Sequence, residues 1–300
     1  MSHFSASGKL LLFGEYLVLR GAKCLSIPLS FGQELQIEKQ EVETVVWKSY
    51  ELNEEWMNVR FSKEAEIIDC SSLEKALVAQ KLLLTIKAEK PTIQLEGLRL
   101  IFNTNFNRQF GFGTSSTLLS LLSQWSKVNP YTLLDNSFGG SGYDIAAATA
   151  KTPFVYTVEN KIIQTVDLPN AITQHLLFVY LGKKQQSASE IAKFSTLPTS
   201  SQQIEQMDEI IDKTTACQSI EEWEQLMVEN ESLLSSILNV PPVKTVLFAD
   251  YPYAIKSLGA WGGDFVMATF RDVSVAKQYF QDKINQPVFT YNELIHESIN

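Results

Sequence analysis

Gly111-Phe112-Gly113-Thr114-Ser115-Ser116 lies between a strand-like stretch, Leu98-Arg99-Leu100-Ile101-Phe102, and a helix-like one running from Leu118 to Trp125. Glycines followed by hydroxyls at a helix start let the main chain approach an anion, which the helix N–H groups and dipole then favour. Three phosphate-binding schemes compete for the segment. A Walker A loop requires GxxxxGK[ST], and here Gly8-Lys9 is followed by Leu10. A dinucleotide fingerprint requires GxGxxG directly after a strand; Ser116 replaces the third glycine and the polar loop 103–109 intervenes. The third scheme is a glycine-rich approach to phosphate at a helix N-terminus, with Thr114, Ser115 and Ser116 adding hydroxyls or a magnesium ligand. A hydroxyl N-cap on a core helix accounts for the same residues, so the segment alone leaves both readings open.

The bulk composition narrows the setting. The 300 residues are 45% hydrophobic and 20% charged, with a net charge of -9, as in a soluble globular protein of one large or two medium domains. The acidic balance, with a pI near 5.0, speaks against a nucleic-acid binder, which shows a basic face. Cys24, Cys70 and Cys217 are scattered without a CxxC pair, as suits a reducing compartment. The apolar run in the first sixteen residues is short for a signal peptide and Glu15 interrupts it. No run has the length of a membrane span. The expectation is a cytoplasmic protein without a nucleic-acid or membrane partner. His3, His175 and His296 lack the spacing of a metal site or a triad.

Along the chain the first third reads as β-rich, in "KLLLFGEYLVL", "CLSIPLSFGQELQIEKQ" and "ETVVWKSYEL". "SSLEKALVAQKLLLTIKAE" has helical apolar spacing, and "TIQLEGLRLIF" reads as paired strands around Gly97. "SGYDIAAATAKT" suggests a small-residue helix, and "PFVYTVENKIIQTVDL" a hairpin turning near Asn160. "HLLFVYLG" reads as a buried strand, followed by a polar helical stretch to about Asn239. "KTVLFADYPYAIKSLGAWGGDFVMATF" then reads as strand, helix, glycine turn and strand, and "VSVAKQYFQDKI" as a last helix. The mixture is α+β, with an expected division into residues 1–165 and 166–300.

Other segments alter the weight of the central one. "SASGKLLLFGEYLVLRG" places Lys9 just before a strand and Glu15-Tyr16 at a turn. "GGSGYDIAAAT" places Asp144 beside Gly142 at a helix start, and "SLGAWGGDF" is a second glycine turn. A lone lysine there is usually solvated and a lone aspartate usually a cap, but the combination is more demanding. Three stretches together resemble the motifs of the GHMP kinases, the family of galactokinase, homoserine kinase, mevalonate kinase and phosphomevalonate kinase. They are Ser7-Gly8-Lys9 through Gly14-Glu15-Tyr16, Gly111-Phe112-Gly113-Thr114-Ser115, and Gly259-Ala260-Trp261-Gly262-Gly263, in the expected order across nearly the whole chain. Glu15-Tyr16, Gly263-Asp264 and Ser141-Gly142-Tyr143-Asp144 look more like phosphomevalonate kinase, since mevalonate kinases usually carry Glu-His at the first turn.

The resemblance implies an N-terminal α+β domain with a left-handed βαβ crossover, against the usual handedness, and a ferredoxin-like C-terminal domain. It implies a phosphotransferase using ATP and Mg²⁺ on a small mevalonate-type acceptor of the isoprenoid precursor pathway, as a monomer or homodimer. Asp144 and Lys9 would be catalytic. Gly111 to Ser116 would hold the nucleotide, with Ser115 on the metal. Glu15, Tyr16, Gly142, Lys183, Lys184, Ser187, Gly259, Ala260, Gly262 and Gly263 would surround the acceptor. Two features depart from the pattern: bulky Trp261 stands where a glycine is usual, and where mevalonate kinases carry a glutamate upstream of the catalytic aspartate, "YTLLDNSFGGSGYD" offers only Asp135. A mevalonate kinase, a catalytically inactive relative and an NAD-dependent oxidoreductase are the alternatives. Nucleotide preference separates the last, and ATP turnover the second.

Overall fold

The computed structural model describes every residue except Asn160, 184–186, 262–263 and 296–300, together with the backbone alone of Ile162, Ser187 and Ala188. The elements in chain order are β1 (Ser2–Phe13), β2 (Lys23–Lys39), β3 (Val45–Glu51), β4 (Glu54–Phe61), β5 (Ile67–Cys70), α1 (Leu73–Glu89), β6 (Leu98–Thr104) and α2 (Thr114–Ser126). There follow α3 (Pro130–Asp135), α4 (Tyr143–Thr149), β7 (Phe154–Thr157), β8 (Ile162–Thr165), α5 (Asn170–Thr173), β9 (Leu176–Tyr180), α6 (Ser187–Ser195) and α7 (Ser201–Ala216). The chain closes with α8 (Ile220–Leu238), α9 (Val243–Leu247), β10 (Ile255–Leu258), β11 (Phe265–Thr269), α10 (Val273–Ile284), β12 (Val288–Thr290) and α11 (Tyr291–Ile295).

Two compact units emerge, one of Met1–Gly8, Phe31–Arg108 and Phe112–Thr149, the other of Lys9–Ser30, Gln109–Gly111 and Ala150–Asn300. In the first, strands run in the order β5-β4-β3-β6-β2. Among these five strands β3 and β6 are the parallel neighbours, and the chain between them is long enough to include α1, as a parallel crossover requires. Alternating residues of the strands and one face of α1 share a core: Leu35, Trp47, Val59 and Phe102 with Ala79, Leu82 and Ile86, joined by Leu119 and Leu122 of α2. Trp47 stacks on Phe102 at 4.5 Å.

In the second unit the N-terminal part of β2 pairs with β7 from Lys23↔Thr157 to Ser26↔Phe154, and β7 forms an antiparallel hairpin with β8. A separate four-stranded antiparallel sheet runs β10-β11-β9-β12. Counting its strands in chain order gives 2-3-1-4, with helices between the first and second and between the third and fourth. That is the ferredoxin-like βαββαβ arrangement. Leu177, Val179, Val266 and Ala268 of this sheet pack on Phe248, Ala276 and Phe280.

Two local expectations are corrected. The stretch around Gly97 is not a hairpin: only Leu98–Thr104 is a strand. That strand is hydrogen-bonded on both edges, to β2 and β3, leaving no edge for the preceding residues to pair with. "KTVLF" is helical and "IKSL" is a strand, the reverse of the order expected. Pro242 begins the helix with its fixed φ, and the strand character of "IKSL" was hidden by Lys256, a buried lysine in mid-strand. β4 and β5 were not assigned from sequence, although Met57, Val59 and Phe61 of β4 alternate with Asn58 and Arg60. The hairpin near Asn160 is formed by β7 and β8, with Asn160 itself outside the described residues.

Candidate active site

The central segment begins with Gly111 and Gly113, both in the left-handed region at φ 69 and 92, where a side chain would be strained. Gly113 is the N-cap of α2 and no side chain caps the first turn. The leading N–H groups of a thirteen-residue helix therefore point out without a side-chain acceptor, the arrangement that suits an anion. Phe112 anchors the loop: it is fully buried, 5.7 Å from the Phe31 ring and 5.5 Å from that of Phe106. Its ring is committed to the core and only its main chain can serve a ligand.

The three hydroxyls divide by burial. Ser116 is buried and donates to the Gly113 carbonyl at 2.8 Å. Thr114 is half-buried, and Ser115 is exposed on the first turn. Ser115 is thus the hydroxyl of the three best free to meet a metal or phosphate. Thr117, one turn on, is fully buried and donates to Gln33 Oε1 at 3.1 Å, fixing the helix start to β2. Gly8 reaches the loop from β1: a Cβ on it would stand 2.8 Å from the Phe31 carbonyl and 3.0 Å from that of Phe112.

Asp144 is the second residue of α4, in its first turn. Gly142, at φ 83, accepts the Ile145 N–H at 3.1 Å and so starts the helix. Ile145 and Ala148 hold α4 in the core with α2. The small side chains of "AAAT" allow that close packing. Lys9 is half-buried in the middle of β1, not ahead of the strand as the sequence suggested, because the strand already begins at Ser2.

The turn after β1 is built differently. Gly14 is at φ 94, with a notional Cβ only 2.5 Å from the Lys23 carbonyl. Glu15 is 2% exposed and its carboxylate is ion-paired with Lys256, which is 0% exposed and comes from β10. Lys256 also donates to the Ser257 carbonyl at 2.8 Å, and the Ser257 N–H donates to Glu231 of α8 at 2.9 Å. Lys256 is thus ion-paired with Glu15, and its charge also acts on the buried Glu231 carboxylate. Burial pushes Glu231 up to about 7 and raises Glu15 as well, in each case against the pull of Lys256. Tyr16 follows at φ 61, rare for a bulky residue. Its ring packs on Phe194 at 5.2 Å, and its hydroxyl accepts the Trp261 N–H at 2.9 Å. Burial raises that phenol to about 12.

Trp261 therefore closes the third turn against the first. It is buried, and its indole N–H reaches the Pro241 carbonyl at 3.4 Å. Gly259 takes φ 70 and Ala260 follows it, while Gly262 and Gly263 lie outside the described residues. Asp264, the next residue, brings its carboxylate to within 2.7 Å of where a Cβ on Gly111 would stand. The third turn and the first glycine of the central segment consequently meet. Lys183 is exposed, Lys184 lies outside the described residues, and nothing is described of the Ser187 side chain. Arg108, a cation just before the glycines, is paired with Glu51 at 2.7 Å and lies 3.6 Å over the Trp56 ring.

Lys256 and Glu231 were missed in the sequence, and Asp264 was read only as part of the third motif, without its approach to Gly111. A lysine in the otherwise apolar run "AIKSL" was the one visible signal for the first. Among the described residues no group of three or more His, Cys, Asp or Glu converges as a metal cluster, and no helix is long and apolar enough to cross a membrane.

No protein-family model and no curated protein matches the sequence. Solved structures do. The Methanococcus jannaschii mevalonate kinase superimposes with a TM-score of 0.74 at 16% identity, covering 96% of each chain. A Streptococcus pneumoniae phosphomevalonate kinase, in complex with phosphomevalonate and AMPPNP, gives 0.68 at 16% identity over 97% of this chain and 98% of its own. The Lactococcus lactis galactokinase complexed with galactose gives 0.66 at 12% identity over 96% and 91%. The mixed sheet, the smaller antiparallel sheet and these full-length superpositions agree: the chain has the two-domain fold of the GHMP kinases.

Proposed function

We propose that this chain is an ATP-dependent small-molecule kinase that phosphorylates a mevalonate-type acceptor, with 5-phosphomevalonate favoured over mevalonate. The observation that carries the reading is the start of α2: two left-handed glycines, no side-chain cap and an exposed Ser115. These residues fit a triphosphate, because the helix start offers main-chain donors and the positive end of a helix dipole that no side chain caps. Residues 1–165 would form the nucleotide-binding domain and 166–300 the ferredoxin-like one.

Phosphoryl transfer asks a protein chiefly for positioning and charge stabilisation. The N–H groups from Gly113 to Ser116, with the Thr114 hydroxyl, would cradle the phosphates. Ser115 Oγ would be a ligand to Mg²⁺, which when bound neutralises phosphate charge. Asp144 would accept the proton of the acceptor hydroxyl as its oxygen bonds to the γ-phosphorus and the bond to the β–γ bridging oxygen breaks. Lys9 would keep Asp144 ionised and stabilise the charge that develops. Gly142, Gly259, Ala260 and, beyond the described residues, Gly262 and Gly263 would give the acceptor close main-chain approach. Glu15 and Tyr16 would serve it by holding the first turn, since their polar atoms face Lys256 and Trp261.

A phosphorylated acceptor needs cations beyond Lys9. With Arg108 paired to Glu51, Lys183 and Lys184 in the sequence before Ser187 are the candidates. Charge-assisted contacts to phosphate are the stronger kind, so Lys183→Ala/Lys184→Ala should raise KM for 5-phosphomevalonate steeply and for mevalonate less. Measuring kcat/KM for both acceptors in wild type and variant tests this. A wild type preferring mevalonate, with little effect of the double change, would make the protein a mevalonate kinase. ATP binding without turnover of either would leave a non-catalytic binding protein.

A further inference from the structure

Helix α1 buries one face and leaves a second apolar stripe in solvent. Ala76, Ala79, Leu82, Leu83 and Ile86 enter the core, while Leu73, Leu77 and Leu84 are 62%, 51% and 46% exposed. With Gln80, these positions follow the 4-3-4 spacing of a coiled-coil seam. Gln80 is tied back to its own chain through the Ala65 carbonyl at 2.9 Å. A lone exposed leucine is ordinary, but Leu73, Leu77 and Leu84 lie along one line of the helix, a surface of the kind that suits an interaction site.

The charges beside the stripe say which partner. Glu74 and Lys81 each follow a seam position by one residue, on the flank turned away from the core, and both are exposed. Neither is ion-paired within the chain, among the described residues. In an antiparallel helix pair such flank positions face their own kind across the seam. With the two-fold axis at Leu77, Glu74 lies opposite Lys81 of the other copy and Lys81 opposite its Glu74. One surface is therefore its own complement in shape and in charge, as an isologous dimer contact requires.

We infer that α1 is a homodimerisation helix, pairing antiparallel with α1 of a second copy about Leu77. A seventeen-residue helix is only about 25 Å long, and one helix pair covers less than the roughly 800 Å² per partner of a standard interface. The association is accordingly reversible, with a Kd of about micromolar order. The inference is independent of the catalytic reading.

Sedimentation velocity over a concentration series is the test. The wild type should pass from monomer to dimer, and Leu77→Glu should be monomeric throughout while melting as the wild type does. Glu74→Lys should weaken the dimer about tenfold, two reciprocal pairs at several tenths of a kcal/mol each having become repulsive. Glu74→Lys with Lys81→Glu should restore it, which a merely structural effect on the helix would not produce. A wild type monomeric up to about 100 µM, a dimer indifferent to Leu77→Glu, or a double exchange that fails to restore association would overturn the inference.

Discussion

At Gly113 the main chain opens a helix whose first turn no side chain caps, whereas at Glu15 and Tyr16 the turn spends its polar atoms on the protein itself. Both stretches belong to glycine-marked motifs and both lean on left-handed glycines. The central segment is left uncapped, and in the proposed function its main-chain donors would serve the nucleotide. The first turn is closed, and its carboxylate and phenol hold β10 and the third glycine turn in place. The difference teaches that a motif residue can matter by building the site rather than by touching what binds there.

The sharpest way to break this comparison is Glu15→Ala. Lys256 would lose its closest counter-ion inside the protein, and breaking a buried pair from one side costs about 3–5 kcal/mol. Calorimetry should show a melting temperature lower by on the order of 10 °C. A near-unchanged melting temperature would mean that Glu15 is not structural and would return it to the acceptor site.

The second change is smaller and depends on pH. Glu231 has a folded pKa of about 7, above its ordinary 4.5. The native state therefore holds a proton that the unfolded state has released between those values. Its stabilising contribution is fully present below pH 4.5 and is lost as pH rises through about 7. A shift of this size corresponds to about 3 kcal/mol. Glu231→Gln, which keeps the acceptor for the Ser257 N–H, should flatten the fall in urea midpoint across that window. An unchanged slope would show that another group titrates there.

The smallest effect sharpens the other half of the comparison. Gly111→Ala forces a side chain into the left-handed region, at about 1–2 kcal/mol, and presses its Cβ to 2.7 Å from Asp264. Gly21, also left-handed but with nothing within 4 Å of a notional Cβ, supplies the control. Gly111→Ala should lose both more stability and more kcat/KM for ATP than Gly21→Ala does. Equal losses would remove the Asp264 contact from consideration.

What could be read in the sequence follows the same division. The helix over the residues after Gly113, the small-residue helix at Asp144, the β7–β8 hairpin and the buried strand at Leu176 all rest on local pattern, and all are formed. The Glu15–Lys256 pair joins residues 241 apart, and Tyr16 meets Trp261 across 245. Nothing in local spacing predicts such partners. Lys256 even misdirected the reading of its own strand, because a charged residue inside an apolar run argues against burial unless its counter-ion is known. Similarly, the strand ending at Thr104 was legible but its neighbours were not, since both lie far away in sequence.

The central claim is that the open helix start binds nucleotide for a reaction in which Asp144 handles the proton. Steady-state turnover of Mg·ATP with 5-phosphomevalonate and mevalonate, in wild type and Asp144→Asn, tests it most directly. The account predicts measurable turnover with the wild type and a variant that melts normally and still binds ATP. That variant should lose about two to four decades of kcat, the usual worth of a positioned acid–base group. A variant retaining near-full activity, or a wild type that binds no ATP, would contradict it.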